Sequence, residues 1–211
     1  MTAPAAVPAP VVDLSFPHRW QAEILLARPL ILPARHFIYP HQAEEVERGA
    51  LELLIRPAVE AVEESNPKPS AQAKPTCSAK EFLATCALGF LDPAVPTGIW
   101  STPNPEEICA VSGGYAYLID TTVPARFTML TYRPVLEVRP LPAQGLLLFV
   151  GHRSILAWGC GGQAWQADKL SAEGIAIAAI ECSVLHGLGW DLITAKDIPF
   201  ALDLRNGLRI L

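Results

Sequence analysis

The rhythm of residues 82–204 limits this chain more than anything else in it. Short apolar runs are each cut off by a turn carrying glycine, proline or asparagine. The runs fall at 82–90, 108–112, 115–120, 127–131, 135–138, 146–150, 154–158, 163–166, 175–180, 183–186, 189–193 and 200–204. Segments such as DPAVPTG, STPNPEE, SGG, GHRS and GCGG separate them. Beyond residue 90 only 168–174 has room for a helical turn. Short strands at close spacing with turn chemistry between them indicate a sandwich, barrel or propeller. The expected fold is therefore all-β and mainly antiparallel, with a propeller-blade-like or β-sandwich core, extended N-terminal segments and little helix. Residues 135–207 are its centre of gravity and hold Trp158, Trp165 and Trp190.

The N-terminal part differs in composition. Residues 1–17 carry Pro4, Pro8, Pro10 and Pro17 among alanines and valines, which suits a flexible or extended arm, because proline removes an amide donor and fixes φ. Residues 18–64 read as extended or strand segments: WQAEILL at 20–26, RPLILP at 28–33 and, at 49–56, an alternation that favours a half-buried strand, with AEEVERGALELL as a single helix the alternative if Gly49 is tolerated. The polar stretch 40–48 between the last two suits a helical turn. Residues 65–79 (SNPKPSAQAKPTCSA) have almost nothing to bury and read as a linker or long loop. Residues 80–211 form the main β domain.

Two segments repeat. Gly145-Leu146 followed by Ser154-Ile155-Leu156 matches Gly174-Ile175 followed by Ser183-Val184-Leu185, 29 residues on, and AVSGGYAYLID (110–120) is similar to the first hairpin of that unit. Over about the last 100 residues this strand–turn rhythm resembles β-propeller blades of the WD40 or quinoprotein-like kind. The resemblance implies stacked antiparallel sheets. The single W-D dipeptide, Trp190-Asp191, has no Gly-His upstream at the family's spacing, and about three blade equivalents do not close a ring. Open edges would then be covered by the N-terminal segments or by a second subunit.

Charge narrows the partners. With 16 basic and 21 acidic residues the net charge is −5, and no Lys/Arg cluster occurs, so neither nucleic acid nor an anionic membrane surface is expected. No window reaches the ~18 consecutive apolar residues of a spanning helix. The N-terminus lacks the basic and continuous apolar regions of a secretory signal, so a cytoplasmic protein is expected. Its five cysteines, with no CxxC pair, are expected to be free and mostly buried thiols.

No catalytic motif appears, and no catalytic residue, metal ligand or cofactor is assigned. His36 and His41 flank Phe37–Pro40 without a carboxylate at ligand spacing. His152 and Arg153 sit on a hairpin tip that suits an anionic ligand or an ordinary solvated turn. Trp190, Asp191 and His186 lie among glycines that let a backbone approach closely. Trp158 and Trp165 flank the GCGG turn, whose Cys160 has no neighbouring base. These seven (Trp190, Asp191, His186, His152, Arg153, Trp158 and Trp165) are the candidates for ligand or partner contact.

Three readings follow. The first is a non-catalytic interaction module that binds a protein partner or self-associates through sheet edges and tryptophan-bearing turns. The second is a binder of a small molecule, a carbohydrate or nucleotide, at Trp158, Trp165 or Trp190 with Asp191 and His186. The third is a hydrolase assembled from His152, His186, Cys160 and Asp191.

Overall fold

The computed structural model describes residues 9–41, 48–58 and 81–210. The expected polar turn at 40–48 and the linker at 65–79 fall mostly or wholly outside the described residues, as do residues 1–8. What is described is almost entirely β, with sixteen strands and one 3-10 turn, Pro142–Gln144. No helix among these residues is long and apolar enough to cross a membrane.

The strands form four sheets. The N-terminal arm contributes β1 (Val11–Asp13), which runs parallel to β6 (Gly98–Ser101) at the edge of a later sheet. Sheet 1 holds β2 (Trp20–Leu25), β3 (His36–Tyr39), β4 (Ala50–Pro57) and β5 (Phe82–Ala87) in the order β2-β4-β5-β3. Sheet 2 continues from β1 and β6 through β7 (Glu107–Ser112) and β8 (Tyr115–Asp120) to β9 (Phe127–Met129). Sheet 3 is the meander of β10 (Glu137–Leu141), β11 (Leu146–Val150), β12 (Ile155–Gly159) and β13 (Gly162–Ala167). Sheet 4 is the meander of β14 (Ile175–Glu181), β15 (Val184–Asp191) and β16 (Lys196–Asp203). The C-terminal residues extend it: Leu202 bridges Arg209, and the Ile210 amide donates to the Ala201 carbonyl at 2.9 Å.

Side-chain alternation stacks the sheets in the order 1-2-3-4. One face of sheet 2 (Ile99, Ile108, Ala110, Tyr117, Ile119) packs with Trp20, Leu53, Ile55, Phe82 and Tyr39 of sheet 1. Its other face (Trp100, Cys109, Val111, Ala116, Leu118) meets Leu147, Phe149, Leu156 and Trp158 of sheet 3. The reverse of sheet 3 (Leu148, Val150, Ile155, Ala157, Trp165) packs on Leu185, Phe200 and Leu202 of sheet 4. A strand with both faces buried has no polar side to show, which explains the unbroken runs ICAV, YAYLI and LLLFV. The sheets do not close into a ring or barrel among the described residues; the stack is open at both ends.

Three local expectations change. Residues 168–174 form a bend, not a helical turn. The run 28–33 is loop. The segments 183–186 and 189–193, read as separate strands, are the single strand β15. The glycines between them are not turn residues but points of close approach. A Cβ on Gly187 would lie 2.3 Å from the Phe200 ring, and one on Gly189 would lie 2.1 Å from the Leu170 carbonyl oxygen. By contrast, Gly113 and Gly114 (φ +54° and +75°) make the two-residue turn between β7 and β8, where both positions need the left-handed region.

The repeated segments correspond to β11–β12 and β14–β15. They are the second and third strands of sheet 3 but the first and second of sheet 4, so the repeat is one strand out of step with the sheets. Sheet 1 is built differently. Because β2 and β3 lie at opposite edges, residues 26–35 cross the outer face over β4 and β5. Beneath that crossover, the buried Thr85 hydroxyl donates to Glu52 Oε2 at 2.6 Å and lies 2.9 Å from His36 Nε2, with Arg28 at 4.0 Å from Glu52.

Candidate functional site

Two clefts and one open sheet face collect the residues of interest. Of the three tryptophans, Trp158 and Trp165 are core. Trp158 lies between sheets 2 and 3, and its Nε1 donates to Glu107 Oε1 at 2.7 Å. Trp165 lies between sheets 3 and 4, and its Nε1 donates to the Leu204 carbonyl at 2.7 Å. A buried indole needs a partner for its one donor, and both have one. Trp190 keeps part of its surface.

The larger cleft, about 630 Å³, opens where sheets 3 and 4 part. Three of the seven candidates line it: Arg153, Trp190 and Asp191. Its floor is the bend at 168–174, which is tied to both sheets. The Leu170 and Gly174 amides donate to the Arg153 and His152 carbonyls, each at 2.9 Å, and the Ala172 amide donates to the Trp190 carbonyl at 2.8 Å. Arg153 Nε donates to the Ala172 carbonyl at 3.0 Å. Asp191 accepts from the Thr194 hydroxyl (2.6 Å) and amide (3.0 Å), and these bonds hold its carboxyl below the usual range. Lys169 and Arg209 also line the cleft, and sequence reasoning missed both. Arg153, Lys169 and Arg209 come from widely separated parts of the chain, so no spacing rule links them.

The smaller cleft, about 290 Å³, lies between sheets 2 and 3 and is lined by Glu107, Asp120, Arg126, Phe127, Trp158 and Cys160, among others. Glu107 and Asp120 face each other in register across β7 and β8. Burial pushes the Glu107 carboxyl up, against hydrogen bonds from Trp158 and Thr102, while the nearby Asp120 adds to the rise. Asp120 is held by the Thr122 amide (2.9 Å) and hydroxyl (2.7 Å) and by Arg126 (3.3 Å). This pair was also missed, although the sequence carries a signal for it. A two-residue turn at Gly113-Gly114 places residue 107 opposite 120.

His152 is exposed beside the larger cleft, and His186 is half-buried on β15. Neither cleft is lined by two of His152, His186, Cys160 and Asp191. Cys160 and Cys182 are exposed free thiols, Cys86 and Cys109 are buried, and Cys77 lies outside the described residues.

The third feature is the outer face of sheet 4. With Leu185, Gly187 and Gly189 turned inward, β15 presents Val184, His186, Leu188 and Trp190 on the other side. Register sets Ala176 and Pro199 beside Leu188 and Ala179 beside His186, while Ala201 on the other side of His186 is buried. Leu208 (65% exposed) and Ile210 (53%) extend this apolar surface along the C-terminal edge. Glu181, Asp197 and Asp203 stand at its ends.

Against known proteins, no family model matches the chain, and none of the curated proteins matches its sequence. The molecule is defined by its geometry: an all-β stack of four sheets with one apolar end face.

Proposed function

We propose that this protein is a non-catalytic interaction module that associates with a second copy of itself through the outer face of sheet 4. The observation carrying this reading is that apolar face, formed around Leu188 and Trp190. Among the described residues, the apolar faces between sheets 1 and 2, 2 and 3, and 3 and 4 cover one another. The covers used within the chain show what such a surface fits: another sheet of alternating aliphatic residues. A second copy supplies one by a twofold axis, each patch meeting its own equivalent.

Area sets the strength. Four strand-widths of ~4.8 Å and about seven residues of ~3.3 Å give about 450 Å² per copy. Two copies thus bury about 900 Å², just under the ~1,000 Å² of the smallest specific interfaces. Association is therefore weak and concentration-dependent. The exposed free thiols of Cys160 and Cys182 fit a reducing, cytoplasmic setting.

Sedimentation equilibrium on the full chain tests this. The expected result is a monomer–dimer equilibrium with a Kd in the micromolar range, about −8 kcal/mol. Leu188→Glu should abolish it without loss of fold. A wild-type chain that stays monomeric at about 100 µM overturns self-association and leaves the face to a different protein. A dimer unaffected by Leu188→Glu overturns the choice of face.

A further inference from the structure

We infer that the cleft between sheets 3 and 4 is a binding site for a small dianion carried on an apolar body, such as a phosphate monoester or an aromatic dicarboxylate. Three cations line it (Arg153, Lys169 and Arg209), and among the described residues none of them is ion-paired. Elsewhere Arg28, Arg56, Arg126, Arg139 and Arg205 each lie within 4.0 Å of a carboxylate. In a chain of net charge −5, three cations without a carboxylate partner at one mouth are a local reversal of the field, although Arg153 also donates to the Ala172 carbonyl and Arg209 lies over the Phe200 ring.

The same wall holds two carboxylates that keep their charge, so three cations against two anions leave the lining with a net positive charge, and neither carboxylate lies within 4.0 Å of one of the three cations. Asp168 accepts from Gln166 Nε2 at 2.7 Å, and Asp191 accepts from Thr194. Ser154 and Ser171 add neutral polar groups to the wall, and Leu170, Leu192 and Ile198 give it an apolar side. About 630 Å³ is within the range of small-molecule pockets.

The bend that carries the site is fixed before any ligand arrives. Its amides are bonded to both flanking sheets, and Arg153 reaches across to the Ala172 carbonyl. Lys169 is held at φ +57°, a region costly for a residue with a Cβ, at a position glycine would fill without strain. A lysine kept there at the expense of stability fits a residue chosen for its charge.

That position also separates binding from folding. Lys169→Gly relieves the backbone while deleting the charge. Titration calorimetry at constant ionic strength with phenyl phosphate, phthalate and inorganic phosphate is the experiment. Saturable binding of phenyl phosphate or phthalate, tighter than that of inorganic phosphate, is expected, and the tighter of the two organic probes identifies the anionic group. Lys169→Gly and Arg153→Gln should each weaken it by about tenfold, the scale of one charge-assisted hydrogen bond, with Lys169→Gly no less resistant to urea than wild type. Arg205→Gln, already paired to Asp203 outside the cleft, should bind like wild type. No saturable heat from either organic probe up to about 10 mM, or unchanged binding in both cleft variants, overturns the inference.

Discussion

Sheets 3 and 4 are neighbouring antiparallel meanders, yet their strands are written differently. In sheet 3, β11 is LLLFV with every residue buried, because sheets 2 and 4 cover both faces. In sheet 4, β14 is IAIAAIE and only Ile175, Ile177 and Ile180 pack against the core, a bulge after Ile177 shifting the alternation. The comparison teaches that an unbroken apolar run marks an inner layer of a stack, and an alternating one marks its end. It also shows that alternation need not mean apolar in and polar out. The outward positions at the middle of sheet 4 are Ala176, Leu188 and Pro199, with Glu181, Asp197 and Asp203 toward the ends, so the centre of the face is suited to being covered.

The sharpest way to break this comparison is to truncate one large apolar side chain in each layer. Phe149→Ala removes a fully buried ring between sheets 2 and 3 and should cost ~3–5 kcal/mol in urea unfolding. Leu188→Ala on the outer face of sheet 4 should cost below ~1 kcal/mol in monomer. Near-equal losses would mean that the outer face is covered within one chain.

Next in size is Gly189→Ala. Its new methyl would meet the Leu170 backbone oxygen, which the bend cannot easily move, so a loss of ~1–3 kcal/mol is expected. Gly161→Ala, at an open hairpin tip in sheet 3, should stay within ~0.5 kcal/mol. Thermal unfolding of both variants side by side checks this.

The smallest effect concerns the boundary of sheets 2 and 3. The folded protein raises the Glu107 carboxyl above its ordinary value near 4.5, chiefly by burial, and so favours the protonated form. The stability this contributes is fully present below that ordinary value and is lost as pH rises through the raised one. Glu107→Gln keeps an acceptor for Trp158 but cannot titrate. From pH 4 to pH 7 the wild type should therefore lose more stability than the variant, read from urea midpoints at each pH.

Much of the layering was legible in the chain. The runs at 108–112, 115–120 and 146–150 became inner strands because burial on both faces leaves a continuous apolar signature. Gly113-Gly114 marked a hairpin because two left-handed residues in succession suit little else. The role of Gly187 and Gly189 was hidden, since a glycine that admits a neighbouring ring or carbonyl looks like a turn until the neighbour is known. The larger cleft was only half visible. Arg153 stood out on a hairpin tip, but Lys169 and Arg209 reach it only through packing of sheets 3 and 4. Trp158 and Trp165 drew notice as tryptophans, although an indole in a turn-flanked strand is more often there to fill volume.

The strand order of sheet 1 bears on how the chain reaches this state. Sheets 3 and 4 form from hairpins between sequence neighbours, whereas β3 must find β5 across more than forty residues and the β2–β3 crossover must wrap over both central strands. Closing that span costs entropy before any contact returns it. The C-terminal meanders are thus the early-ordering half. On that ground the N-terminal sheet is expected to open before the C-terminal meanders, so amide exchange should be faster in β3 than in β11 and β12.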